Sequence, residues 1–192
     1  MIPIIEIERK SGKEKFVNIN KEISLNDFWS WAYSDLIGNT ERGKLAEYIV
    51  ATAVGVENQI NDSFSKVDLV TKEGIKIEVK TSGYLQSWGQ KDYSKIVFNI
   101  PKTLGWNNKD NTYDSEKKRQ SDVYVFCVLK HKDPKTVNPL NIKHWDFYVL
   151  PTYIINEKCQ ESKTLSLNKA IKIGAKKCDY ENIYNVVINV MK

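Results

Sequence analysis

The chain has 192 residues, 41% of them hydrophobic, with five Trp, ten Tyr and six Phe, enough to bury a sizeable core in a single domain over residues 1–192. Its formal charge of +5 is concentrated in residues 158–177, where six Lys face Glu161 alone, so a polyanionic partner is permitted without being required. Three cysteines without C-x-x-C spacing and two histidines outside any zinc spacing argue against a disulfide framework and a zinc site; the lack of a signal pattern or membrane-length apolar run gives the expectation of a soluble, cytoplasmic protein with no membrane partner.

Residues 2–20, "IPIIEIERKSGKEKFVNIN", read as a hairpin turning at Ser11-Gly12-Lys13. Ser24 stands at an N-cap, with Asp27 in the first turn of a helix that Gly38-Asn39 stops. A second helix starts near Asn39-Thr40 and runs to Gly55. "SKVDLV" (65–70) and "IKIEVK" (75–80) are strands joined by "TKEG", Gly74 supplying the turn. "SKIVFNI" (94–100) is a further strand, and the polar stretch 101–120 reads as a long loop with one helical turn near 115–120. "DVYVFCVL" (122–129) and "HWDFYVLP" (144–151) are strong strands; "TYIINEK" and "LNKAIKI" read as short helices. Ile183, Val186, Val187 and Val190 share one face of a last helix. This order predicts an α/β (α+β) fold, a mixed central sheet flanked by helices, with an N-terminal hairpin and helix over 1–38, a core over about 39–130, and a C-terminal strand and helices over 131–192.

Glu78-Val79-Lys80 is an acid-x-lysine triplet, of which the chain holds five, as its composition alone would produce. Context separates this copy. Asp68 lies ten residues earlier inside an apolar strand, and a hairpin brings it near Glu78. Two carboxylates held together repel and are costly to bury unless a cation joins them; oxygen ligands without His or Cys suit Mg²⁺ or Mn²⁺. Glu47 is the only ionisable carboxylate in "LAEYIVATAV", either a third member of the set or a structural ion pair with Arg42 or Lys80. Gly43, one turn earlier, lets that helix approach a strand or a substrate closely. If the strand stays extended past Lys80, its polar face continues through Ser82, Tyr84 and Gln86, either substrate contacts or plain surface.

A Glu on a core helix, an Asp on the first strand of a hairpin and E-x-K on the second resembles the restriction-endonuclease-like nucleases, the PD-(D/E)xK superfamily, over Asn39 to Gln86 and more loosely to 129. Val67 stands in place of the proline of the family name. The resemblance implies a restriction-endonuclease-like core and a divalent-metal-dependent endonuclease hydrolysing DNA, in restriction, defence or repair. Asp68, Glu78 and the Val79 carbonyl would hold Mg²⁺ or Mn²⁺, Glu47 would support it through water, Lys80 would activate the attacking water, and Gln86 would complete the catalytic set. A homodimer is implied in the same way. Weaker expectations for DNA contact fall on Ser82, Tyr84 and Arg119, and on Lys169, Lys172 and Lys176 as one helical face. The alternative is a non-catalytic nucleic-acid- or partner-binding protein that keeps the nuclease fold.

Overall fold

The structure, a computed structural model, describes residues 5–62, 65–107 and 110–192. Among these, the strands in chain order are β1 (Leu69–Val70), β2 (Lys76–Gly83), β3 (Val97–Asn99), β4 (Thr103–Asn107), β5 (Thr112–Lys118), β6 (Val123–Leu129), β7 (Trp145–Pro151), β8 (Thr164–Ser166) and β9 (Lys176–Cys178). The helices are α1 (Leu25–Tyr33), α2 (Asn39–Ala53), α3 (Thr152–Cys159), α4 (Leu167–Lys172) and α5 (Ile183–Val190).

A mixed five-stranded sheet in the order β1-β2-β6-β7-β9 forms the centre. All seven residues of β6 are buried, and a strand covered on both faces has no reason to alternate, which is why "VYVFCVL" carries no polar face. β2 lies parallel to β6 and β7 antiparallel to it. On one face Ile77, Val79, Val125 and Val149 pack with Ala46, Ile49 and Val50 of α2 and with Ile183 and Val187 of α5. On the other, Phe126, Tyr148 and Leu150 pack with Phe98, with Ile155 of α3, with Leu165 and with Ala170 of α4; the Phe98 and Phe126 rings sit 4.6 Å apart.

α2 is specified at its end rather than its start. Gly55 takes φ +71°, and the Val56 and Gly55 amides return to the Ala51 and Thr52 carbonyls, closing the last turn. α1 begins as expected, since the Asp27 amide donates to the Ser24 hydroxyl while the Asp27 carboxylate accepts the Ser24 amide at 2.7 Å. It ends at Tyr33, earlier than the expected Gly38, because the Asp35 carboxylate accepts the Gly38 amide and turns the chain into α2.

Three expectations are corrected. The N-terminal hairpin is absent among the described residues: the Leu25 and Asn26 amides reach back to the Glu14 and Gly12 carbonyls, leaving a single bridge at Lys15 and Ser24, and Ile5, Ile7 and Val17 stay exposed. Residues 2–4 of that expectation lie outside the described residues. Residues 101–120 are not a loop with a helical turn but a ribbon, β4 against β5, crossed by Trp106 and Tyr113 with rings 4.7 Å apart. The strand expected at 94–100 shortens to β3, which pairs with β8 in a sheet of its own and not with the central one.

Candidate functional site

The connection "TKEG" folds because Gly74 adopts φ +85°, where a Cβ would be strained, and its amide donates to the Thr71 carbonyl at 3.0 Å. The resulting register sets Leu69 against Ile77, which places Asp68 opposite Glu78 one step past the paired residues. Because β1 is only two residues long, the outer edge of β2 is bare beyond it. Asp68 occupies that edge: its carboxylate accepts the Val79 amide at 2.7 Å.

Around Asp68 the sequence brings the predicted set together. Lys80 lies 2.5 Å from the Glu78 carboxylate. Glu47 arrives from α2, 14% exposed, and accepts from the Lys44 ammonium and the Asn61 amide, each at 2.8 Å. Its ion-pair partner is therefore Lys44 on its own helix, not Arg42 or Lys80. Its charge nevertheless bears on both Asp68 and Lys80. Three carboxylates thus face two ammoniums, leaving one negative charge without a counterpart.

The electrostatics follow from burial first and from that imbalance second. Burial, with Glu78 and then Glu47 adding repulsion, pushes Asp68 up to about 6 against the pull of Lys80 and the Val79 amide. Burial also works against the Lys80 ammonium, but Glu78, Asp68 and Glu47 outweigh it and hold its pKa above the ordinary lysine value. Tyr124, level with Glu78 on β6, is raised as well, first by burial and then by the Glu78 charge. Three depressions open from these residues: one of about 200 Å³ lined by Glu47 and Asp68, one of about 160 Å³ lined by Glu78 and Lys80, and a groove of about 500 Å³ lined by Glu47 and Lys80. Among the described residues, no three His, Cys, Asp or Glu side chains converge as a ready-made metal cage.

The weaker candidates separate. Ser82 and Gln86 line the large groove, yet Gln86 spends its amide on the Gly83 carbonyl and the Ser94 hydroxyl, at 3.0 and 3.1 Å. Tyr84 faces elsewhere, edge-on to Tyr93 with the Lys132 ammonium 4.4 Å from its ring centre. Arg119, 5% exposed, ties together the carbonyls of Ile100, Gln160 and Ser162 and the Asn156 side chain, a buried staple that also lines the depression of Glu78 and Lys80. Lys169, Lys172 and Lys176 do not share a helical face, because α4 ends at Lys172, Gly174 turns the chain at φ +111° and Lys176 belongs to β9. Sequence reasoning missed Lys44 and Asn61 as the holders of Glu47; the spacing of Lys44 and Glu47 by three in a helix is the signal that was available.

Fold and site define a mixed α/β protein whose edge hairpin presents two carboxylates and an ammonium beside a third acid from a core helix. Residues 22–169 match the family described as Bacteriophage T4 endonuclease IV, and the chain belongs to that family. The match takes in every member of the acid and lysine set, and it points to a nuclease. No curated protein matches the chain.

Proposed function

We propose that the protein is a divalent-metal-dependent endonuclease that hydrolyses phosphodiester bonds in DNA on a restriction-endonuclease-like core of the PD-(D/E)xK type. The observation that carries the reading is the juxtaposition of Asp68, Glu78 and Lys80 on one bare strand edge with an uncompensated negative charge. Membership of a family named for an endonuclease supports it from a separate direction.

The donor set fits Mg²⁺ or Mn²⁺. The Asp68 pKa is raised first by burial and then by the Glu78 and Glu47 charges, so a cation would relieve what Lys80 alone does not. The amide and carbonyl of one strand residue point to the same side, so the Val79 carbonyl faces the edge where its amide meets Asp68. Two carboxylates and a carbonyl leave room for water, the coordination that Mg²⁺ prefers. When bound there, the metal would draw charge from the phosphate and lower the pKa of a bound water.

The protein's own groups do the rest. Lys80 keeps its proton, so it offers hydrogen bonds and positive charge to a phosphate oxygen or to the attacking water, provided it leaves Glu78. Glu47, held by Lys44 and Asn61, sits where it can orient water without moving. One such site cuts one strand, so a homodimer is the arrangement expected if duplexes are cut through.

Incubation of the full chain with plasmid and linear DNA in Mg²⁺, Mn²⁺ or EDTA tests the reading. Cleavage with either metal and none in EDTA is expected. Binding of DNA with no cleavage under any metal would leave a binding protein that keeps the fold.

A further inference from the structure

The large groove holds features that neither the fold nor the acid cluster uses. Gly43 sits inside α2, where glycine is less favourable than alanine. Nothing in the fold asks for it: a Cβ at this position would meet no atom within 4 Å, so no strand approaches the helix here. Gly43 lines the groove beside Glu47 and Lys80. The glycine therefore keeps open a space that the protein itself leaves unfilled.

Its neighbour Arg42 lines the same groove and is 3% exposed. Its guanidinium donates to the Ile37 carbonyl at 2.7 Å, to Asn39 at 2.5 Å and to Gln86 at 3.4 Å, all neutral acceptors. Its Nε has no partner, and neither has the buried Oγ1 of Thr81 on the facing strand. The Asp35 charge bears on this buried cation, but every hydrogen bond the guanidinium makes goes to a neutral group and its Nε makes none, which leaves it able to take an anionic oxygen. At the mouth of the groove stand Trp88, 57% exposed, and the exposed ammonium of Lys95.

We propose that this groove seats the phosphodiester backbone of the substrate strand next to the scissile phosphate, with Gly43 providing clearance and Arg42 and Lys95 the positive charge. The proposal rests on the nuclease reading. It makes Gly43 a positioning residue, whose role is to let the strand lie against α2 close enough for its phosphate to reach Lys80.

Gly43→Ala and Gly43→Leu in the full chain test it, because each adds bulk in open space at a helical position and folding is retained. Unfolding temperature, affinity for a labelled DNA oligonucleotide in EDTA, and cleavage in Mg²⁺ are measured on the same preparations. The unfolding temperature of Gly43→Ala is expected to rise by about 2–4 °C. Oligonucleotide affinity and cleavage should both fall, about threefold for Ala and about tenfold or more for Leu, since added volume in a ligand groove is hard to absorb. Lys95→Gln should flatten the salt dependence of binding by about one counterion. If wild type cleaves and Gly43→Leu binds and cleaves as wild type does, the groove assignment is overturned while the nuclease reading stands. If wild type neither binds nor cleaves DNA, both fall together.

Discussion

Two antiparallel strand pairs in this chain, β1 with β2 and β4 with β5, come to opposite ends. The β1–β2 hairpin is docked into the central sheet and carries Asp68, Glu78 and Lys80 on an edge where burial raises the Asp68 pKa to about 6. The β4–β5 hairpin stands apart as a two-stranded ribbon, with Thr112–Lys118 largely exposed. It is full of charge too, but Asp114 simply meets Lys66 at 2.7 Å and is held below the usual carboxylate range by that contact. Exposed charge paired with its neighbour is ordinary surface. Charge gathered on one strand edge against its own repulsion is the pattern by which candidate functional sites are recognised.

The comparison can be broken most directly at the docked hairpin. Lys80→Ala should lower cleavage by about 10²–10⁴-fold while leaving Mg²⁺ binding in place, as titration calorimetry would show. Asp68→Ala and Glu78→Ala should abolish cleavage and metal binding together. Wild-type cleavage by the Lys80 variant would reduce the hairpin to a wet strand.

Asp68→Asn sharpens the comparison through stability. In the folded protein Asp68 binds its proton more tightly than the ordinary value of 3.8 allows, so its contribution to stability falls as pH rises from about 4 to about 6 and stays lost above that. At pH 7 and without divalent metal, the Asn variant should therefore be more stable by on the order of 2 kcal/mol, a rise in unfolding temperature of about 5 °C. The gain should vanish near pH 4. Added Mg²⁺ should stabilise wild type and not the variant. Equal unfolding temperatures across that pH range would remove the claim that Asp68 is under electrostatic stress.

Smaller effects follow. Glu47→Gln keeps the shape of the side chain but loses the charge held by Lys44 and Asn61, and cleavage should drop by about tenfold with folding intact. On the ribbon, Asp114→Asn should leave both unfolding temperature and cleavage unchanged. Smallest of all, Gln at Lys169, Lys172 and Lys176 should leave cleavage unaltered at low salt, because these residues belong to two different elements and line none of the three depressions of the site.

What the residues disclosed depended on whether local chemistry decides the outcome. The Ser24 and Asp27 cap, the Gly55 and Gly74 turns and the apolar run of β6 each act within a few positions, and each was legible. The opposition of Asp68 and Glu78 was legible for the same reason, since a four-residue turn sets the register. The ribbon was not, because "TYDSEKK" is polar on both faces and a strand that buries neither face gives no alternation to read. The N-terminal "IIEIE" alternation misled in the other direction: Ile5 and Ile7 have the pattern of a strand and no sheet to meet. Arg119 lay beyond reach because its four acceptors come from Ile100, Asn156, Gln160 and Ser162, up to 43 residues away.

The parallel pairing of β2 with β6 gives the site an order of assembly. Glu47, Asp68, Glu78 and Lys80 all precede the strand that anchors β2, whose partner residues run from Val123 to Leu129. Parallel neighbours require a long crossover, and contacts so distant along the chain form late. A nascent chain emerging from the ribosome therefore exposes all four reactive side chains well before the sheet that aligns them exists. A fragment that stops short of Val123 would carry all four side chains without the strand that holds β2 in place.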